Sequence, residues 1–215
     1  MKIYQNRFHD GHVYLSIDDF EVDKIQSSEF EKVMYEYQKP LQVMVKSSNR
    51  QLVQLLNKSG FQLKRRCYEV EVSESNLITL STQLHIIFKS VKGSEEYFEC
   101  AKDMFLYYKK THALVNPLTA SLEEFMDVLP VDVVYFKEIN KIEAAAFIEN
   151  NEIAYIYANN TDSFEKFAGA LLYYLFGLNK IIYFEADDTD WVATKLRNKF
   201  LVDNKESYDT YIKAT

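Results

Sequence analysis

The chain is poor in the residues that bend and staple a backbone. Only 5 Gly and 3 Pro are spread over 215 residues. That scarcity excludes collagen-like and linker-like classes and leaves turn formation to Asn, Asp and Ser clusters. The 2 cysteines, Cys67 and Cys100, are too few and too far apart for a disulfide framework or a zinc pattern. A reducing cytosol is therefore the expected compartment. Positive charge is short as well: Lys and Arg number 25 against 32 Asp and Glu, for a net charge of −7 and a pI of about 5.2. Nucleic acids and anionic membranes require a basic face that releases counterions, so neither is an expected partner. Lys64-Arg65-Arg66 is a local exception that reads as a solvated strand or turn. The longest apolar helix candidate, around 167–178, is too short to cross a bilayer. The opening MKIYQNRFHDG has no apolar core of a signal peptide. These absences describe a soluble cytoplasmic protein.

Aromatic residues are plentiful, with 16 Tyr and 15 Phe, and hydrophobic content reaches 47%. Such a chain buries a large core and is not disordered. Residues 1–8 and 12–17 are strand-like runs around His9-Asp10-Gly11, a hairpin signal. The spacing of Ile25, Phe30, Val33, Met34 and Tyr37 predicts a helix over 22–37, closed by Pro40. A buried strand over 41–45 precedes a short helix striped by Leu52, Leu55 and Leu56, with Gly60 just past its end. Residues 62–72 alternate as a strand. A joint at 73–76 leads to a strand over 84–88 and helices over 95–110 and 122–128. Strands follow over 131–137, 143–148 and 152–157, the last two joined by Asn150-Asn151. A helix over 163–176, a strand over 181–185, a helix over 191–200 and a strand over 207–213 complete the chain. At an offset of 140 residues, 12–17 overlays 152–157, 41–45 overlays 181–185, and Tyr68-Glu69 overlays Tyr208-Asp209. The order strand–helix–strand–helix–strand thus occurs twice, first in an incomplete segment, 1–73, then in a complete one, 77–215.

The run from Asn49 to Phe61, with Leu55, Lys58 and Gly60, resembles the N-x-x-A-x-x-L-Y-x-K-x-G-F signature of the GNAT acyltransferases, the acetyl-CoA-dependent N-acetyltransferase superfamily. In the second copy Asp190 stands for the Asn, Ala193 for the Ala, Leu196 for the Leu and Phe200 for the Phe, while Lys199 replaces the Gly. The resemblance implies an α/β (α+β) fold with a central mixed, mostly antiparallel sheet flanked by helices. It also implies acetyl-CoA as co-substrate and a small-molecule or aminoacyl amine as acceptor. The family binds the CoA pyrophosphate at the N-terminus of the helix after its fourth strand, where backbone N–H groups meet the anion. That places cofactor contacts at Tyr157, Ser163, Lys166 and Ala168, with Asp190 in the signature position. Lys166 stands where the family has a Gly, and Ser163 where it has Arg or Gln. Tyr108, His112 and Asn116 fall where the family builds its acceptor side.

Acyl transfer to an amine also requires a base and an acid. The base candidates are Glu152, opening the fourth strand of the second copy, and Glu185, ending the fifth. A carboxylate in an apolar cleft has its pKa raised, as a base needs. Leu56 and Arg197 occupy the family's general-acid Tyr position, so Tyr208 or Tyr211 of the last strand stands in. The acidic string FEADDTD, residues 184–190, admits two readings. Asp188 and Asp190 are placed to cap the next helix. A hard-cation site is the alternative, but the string lacks the Gly and distal Glu of a Ca²⁺ loop, and no metal is expected. Two functions fit: an acyl-CoA-dependent N-acetyltransferase, or a non-catalytic ligand- or partner-binding module that has lost the pyrophosphate loop. The truncated first segment exposes sheet edge, which makes a homodimer an expected arrangement.

Overall fold

The computed structural model describes residues 1–78, 85–203 and 206–214. Among them, ten strands and six α-helices give a mixed α/β architecture with mostly antiparallel pairing. In chain order these are β1 (Lys2–Tyr4), β2 (Val13–Ser16), α1 (Ser27–Tyr37), β3 (Leu41–Lys46), α2 (Arg50–Lys58) and β4 (Gln62–Ser73). Then come β5 (Phe88–Val91), α3 (Glu95–Thr111), α4 (Leu122–Val128), β6 (Asp132–Glu138), β7 (Lys141–Glu149) and β8 (Glu152–Ala158). The last elements are α5 (Thr161–Leu178), β9 (Ile181–Asp187), α6 (Trp191–Arg197) and β10 (Tyr208–Lys213). The expected strand over 84–88 begins instead at Phe88, and Leu84 lies outside the described residues.

The residues form two compact units. The first contains Met1–Tyr68, Thr111–Ser121 and the C-terminal segment that carries β10; the second contains Glu69–Lys110 and Leu122–Asp203. The units therefore do not follow the two sequence segments 1–73 and 77–215.

In the first unit the strand order is β1-β2-β3-β10-β4. β2 runs parallel to β3, and β10 is antiparallel to both of its neighbours, with Tyr208 opposite Lys46 on one side and Cys67 on the other. Phe30 of α1 and Leu56 of α2 are fully buried on this sheet with Leu41. The Phe30 and Phe61 rings meet edge to face at 5.1 Å. The helix expected over 22–37 is in two pieces, a 3-10 turn at Asp19–Lys24 and then α1. The break has a local cause: Gln26 takes the cap position in extended backbone, and its N–H is held by the Glu29 carboxylate at 3.2 Å. Asn49 caps α2 by accepting from Leu52 N–H at 3.1 Å, and Gly60 follows that helix at φ +84°.

The second unit orders the far end of β4 with β9, β8, β7, β6 and β5. β5 to β8 pair antiparallel, and the β7–β8 turn rests on Asn150 at φ 56°. Ala144, Ala145 and Ala146 of β7 are fully buried, as are Phe164, Phe167 and Leu171 of α5. Successive strand side chains alternate between faces, so these alanines present small side chains on both faces of β7, one of which packs against α5.

Replacing Phe30 by Ala is expected to cost about 3–5 kcal/mol by urea unfolding. Tyr35→Ala, on the 82% exposed side of the same helix, should stay within about 0.5 kcal/mol. Equal losses at the two positions would contradict the core described.

Candidate active site

The strands of the second unit sort their acidic residues onto one face. Along β9, Ile182, Phe184 and Ala186 are buried while Tyr183 and Glu185 face outward. Along the far end of β4, Val70 and Val72 are buried while Glu69 and Glu71 face outward. Glu152 opens β8 directly opposite Tyr183. The result is a cavity of about 460 Å³ lined by Glu69, Glu71, Glu152, Tyr183, Phe184 and Glu185 together with Val70. The two sequence candidates for the base, Glu152 and Glu185, thus share one cavity. Glu69 and Glu71 were not singled out, because an alternating acidic strand has the same pattern on a solvated face. Burial, followed by the charges of Glu185 and Glu152, pushes the Tyr155 phenol up in pKa, so the field of the carboxylates reaches that ring.

β8 and β9 are parallel, with register pairs at Glu152–Tyr183 and Ile153–Phe184 near their starts. The β7–β8 register slips between Phe147 and Ile148, a bulge that turns β8 as it leaves the ladder. Aromatic residues occupy the far ends of the two strands. Tyr107 of α3 lies 6.2 Å from Tyr157 at the end of β8, ring to ring, and its hydroxyl donates to Asp190 Oδ1 at 2.5 Å. Phe164 at the start of α5 meets Trp191 at the start of α6 at 6.1 Å, edge to face. Asp190 is the cap of α6, accepting from Val192 N–H at 2.8 Å and Ala193 N–H at 3.2 Å. Capping, with a Tyr partner the sequence did not reveal, is therefore what the structure shows for the end of FEADDTD. Burial, followed by the Asp190 charge, pushes the Tyr107 phenol up. The Tyr157 hydroxyl is buried without a hydrogen-bond partner among the described residues. Burial raises its pKa first, then the nearby Cys100 and Asp103. The Asp103 carboxyl, itself raised by burial, faces that hydroxyl but stops short of hydrogen-bond geometry.

No protein-family model and no curated protein matches the sequence. Solved structures do match. A GCN5-related N-acetyltransferase from Sphaerobacter thermophilus aligns over 99% of this chain and 75% of its own, with a TM-score of 0.58 at 11% identity. Another from Kribbella flavida aligns over 97% and 83%, with a TM-score of 0.52 at 13% identity. A conserved protein of Enterococcus faecalis V583, described as a probable N-acyltransferase, aligns over 99% of this chain with a TM-score of 0.59 at 8% identity. This chain spans 57% of that protein's length. The chain has the fold of the GCN5-related N-acetyltransferases. Within that GNAT fold, β8, α5, β9 and α6 are the elements that the sequence resemblance associates with CoA.

The start of α5 does not fit the CoA pyrophosphate. Asn160 caps the helix by accepting from Ser163 N–H at 2.9 Å, and Ser163 and Ala168 are buried. Lys166, the cation available there, has its ammonium 2.6 Å from Glu138 and 2.7 Å from Asp162, and these carboxylates push its pKa up to about 12. Lys199 is likewise engaged by Glu165 at 2.6 Å. Three carboxylates thus surround two ammonium groups already in ion pairs, and no glycine lets the backbone approach an anion. Among the described residues no group of three or more His, Cys, Asp or Glu could hold a metal, and no helix is long and apolar enough to cross a membrane.

The other sequence candidates are divided between the units. Tyr108 belongs to the second, with its ring 5.4 Å from Phe125 and 6.2 Å from Tyr155. Tyr208, His112 and Asn116 belong to the first. There Asn116 Oδ1 accepts from the Tyr14 hydroxyl, whose oxygen also lies 3.2 Å from the His9 carbonyl. His9 Nδ1 lies 3.3 Å from the Pro117 carbonyl, and His12 Nδ1 lies 2.8 Å from Gln42 Oε1. The Tyr14–Asn116 and His9–Pro117 contacts tie the 111–121 segment to β2 and the turn before it. Burial, with the nearby positive charges of His112 and Arg65, lowers the His9 pKa from 6.5.

Asp190→Ala should destabilise the protein by about 1–2 kcal/mol through loss of the α6 cap, with Asp190→Asn recovering most of it in urea melts. For His9 the folded pKa lies below the unfolded one, so the unfolded state binds more protons under acid. The stability it contributes is present above pH 6.5 and is lost as pH falls through the lowered folded value. His9→Gln should therefore flatten the fall in stability between pH 7.5 and 5.5; an unchanged slope would exclude His9 as its source.

Proposed function

We propose that this chain is a GNAT-fold N-acyltransferase that receives a small or aminoacyl amine in the acidic cavity of its second unit. The carrying observation is the convergence of Glu69, Glu71, Glu152 and Glu185 on one cavity beside the parallel β8–β9 pair. Several carboxylates stabilise an entering ammonium, and one of them, Glu152 or Glu185, takes the proton that the amine must lose before its nitrogen lone pair can attack an acyl carbon. The fold supports the reaction class; the acceptor's identity rests on the cavity's charge. No step is assigned to the acyl donor, because the start of α5 does not fit the CoA pyrophosphate. Tyr157, Ser163, Lys166 and Ala168 accordingly receive no role in donor binding.

A second reading has its own observation. The ion pairs of Lys166 and the aromatic pairs at the ends of β8 and β9 match a non-catalytic module that keeps an amine site without acyl transfer.

Incubation with acetyl-CoA and a panel of polyamines, amino acids and aminoacyl esters, read by release of free CoA thiol, separates the two. The enzyme reading expects amine-dependent release that Glu185→Gln lowers at least tenfold. No release at millimolar acetyl-CoA, combined with amine-dependent thermal stabilisation, would establish the binding module instead.

A further inference from the structure

In the second unit β5 ends the strand order, and among the described residues no strand pairs with its far side. One hydrogen bond fixes which backbone groups it offers there. Lys92 N–H donates to the Val131 carbonyl at 2.8 Å, in step with the register that sets Val91 opposite Asp132 and Lys89 opposite Val134. Backbone groups alternate in direction along an antiparallel strand. Phe88, Ser90 and Lys92 therefore turn their N–H and C=O groups to β6, and Lys89 and Val91 turn theirs outward. Beside this edge lies a cavity of about 620 Å³, lined among others by Lys89, Val91, Asp132, Tyr174 and Leu178. Two apolar residues of the lining stay open to solvent, Val91 at 53% and Leu178 at 66%. Lys89 rests its ammonium over the Tyr174 ring at 4.8 Å. Neither Lys89 nor Asp132 has an ion-pair partner among the described residues.

We infer that β5 is the contact strand of a symmetric dimer, pairing antiparallel with β5 of a second copy of this chain. Self-complementarity selects that occupant. Lys89 set opposite its own copy would face like charges. Val91 set opposite its own copy would bring Lys89 against Gly93, which is in a turn at φ +102°. Lys89 set opposite Val91 uses every outward group of the strand, in two hydrogen-bonded pairs related by a two-fold axis through Ser90. In that register a row across the joined sheet reads Asp132, Val91, then Lys89 and Val134 of the second copy, all on one face. The long lysine reaches over Val91 toward the carboxylate, and the two-fold makes the same pair again. A lysine on an edge strand ordinarily keeps other chains away. Here the matching Asp132 turns that barrier into a selector, because only a strand with an acid in this place neutralises it. Val91 and Leu178 lie at the same edge, where joining removes apolar surface from water. The inference concerns assembly and does not depend on the amine reading.

Sedimentation of the full chain at tens of micromolar should show a dimer that dissociates on dilution. Val91→Pro removes an outward N–H that bonds nothing within the chain, so it should leave a folded monomer. Lys89→Glu should weaken the dimer about tenfold by setting a like charge toward Asp132, and adding Asp132→Lys should restore it. Ser90 meets its own copy on the axis in a non-hydrogen-bonded pair, close enough for a disulfide. Ser90→Cys should therefore link two copies under diamide, whereas Phe88→Cys should not. The native Cys67 and Cys100 are buried and do not compete. A chain that stays monomeric at these concentrations, a dimer that Val91→Pro leaves intact, or cross-linking through Phe88→Cys but not Ser90→Cys would overturn the inference. Should Val91→Pro fail to fold, the charge series decides. No weakening in Lys89→Glu, or no recovery in the double variant, would then overturn it.

Discussion

The first unit depends on a strand of six residues supplied from the far end of the chain. β10 inserts between β3 and β4 and pairs antiparallel with both, so its backbone groups are satisfied on two sides. Thr210 is fully buried and Asp209 nearly so. The Asp209 carboxylate accepts from Ser207 Oγ at 2.6 Å and lies 3.8 Å from Arg66, which compensates its burial. Meanwhile the Glu69–Ser73 end of β4 runs into the second unit, whose strand order places it beside β9. The first unit thus holds a strand from the C-terminal segment, and the second holds the far end of a strand that begins in the first. This is why the compact units cut across the chain order, and it leaves no open edge between β3 and β4.

Much of the element order was legible because the chain states it with strong patterns. The alternation of 62–72 and the apolar runs at 41–45 and 181–185 became β4, β3 and β9 with ends shifted by one or two residues. The Asn49 cap and the Gly60 terminus were legible because each does a local job that few residues perform. What failed was tertiary or depended on a single cap. The stripe over 22–37 is helical in period, yet Gln26 and Glu29 divide it. Strand exchange leaves no trace in local sequence, since β10 would show the same alternation against any neighbour. The candidate site shows the same division. Glu152 and Glu185 were visible as strand-end acids, but Glu69 and Glu71 join them only because β4 crosses into the second unit. Tyr107 was hidden in a helix where any aromatic reads as core, and only its partner, Asp190, distinguishes it.

One element order has thus been given two chemical characters. Beside the parallel pair of the second unit, outward carboxylates line an acidic cavity, and aromatic rings close the strand ends. Beside the parallel pair of the first unit, Lys46, Arg50 and Tyr208 line a larger cavity of about 700 Å³. The divergence needs no change of backbone. It follows from which residues occupy the outward positions of short strands and the first turns of the helices after them.

The borrowed strand also has a consequence in time. During synthesis β3 and β4 leave the ribosome long before Tyr208–Lys213 exists, and at ordinary elongation rates the gap is roughly 8–30 s. Through that interval the nascent first unit carries two facing edges with their amide ladders open, in a chain whose neighbours on a polysome carry the same edges. The sheet of the first unit is therefore completed only after β10 has been made, and until then the edges of β3 and β4 are open to pairing with other chains.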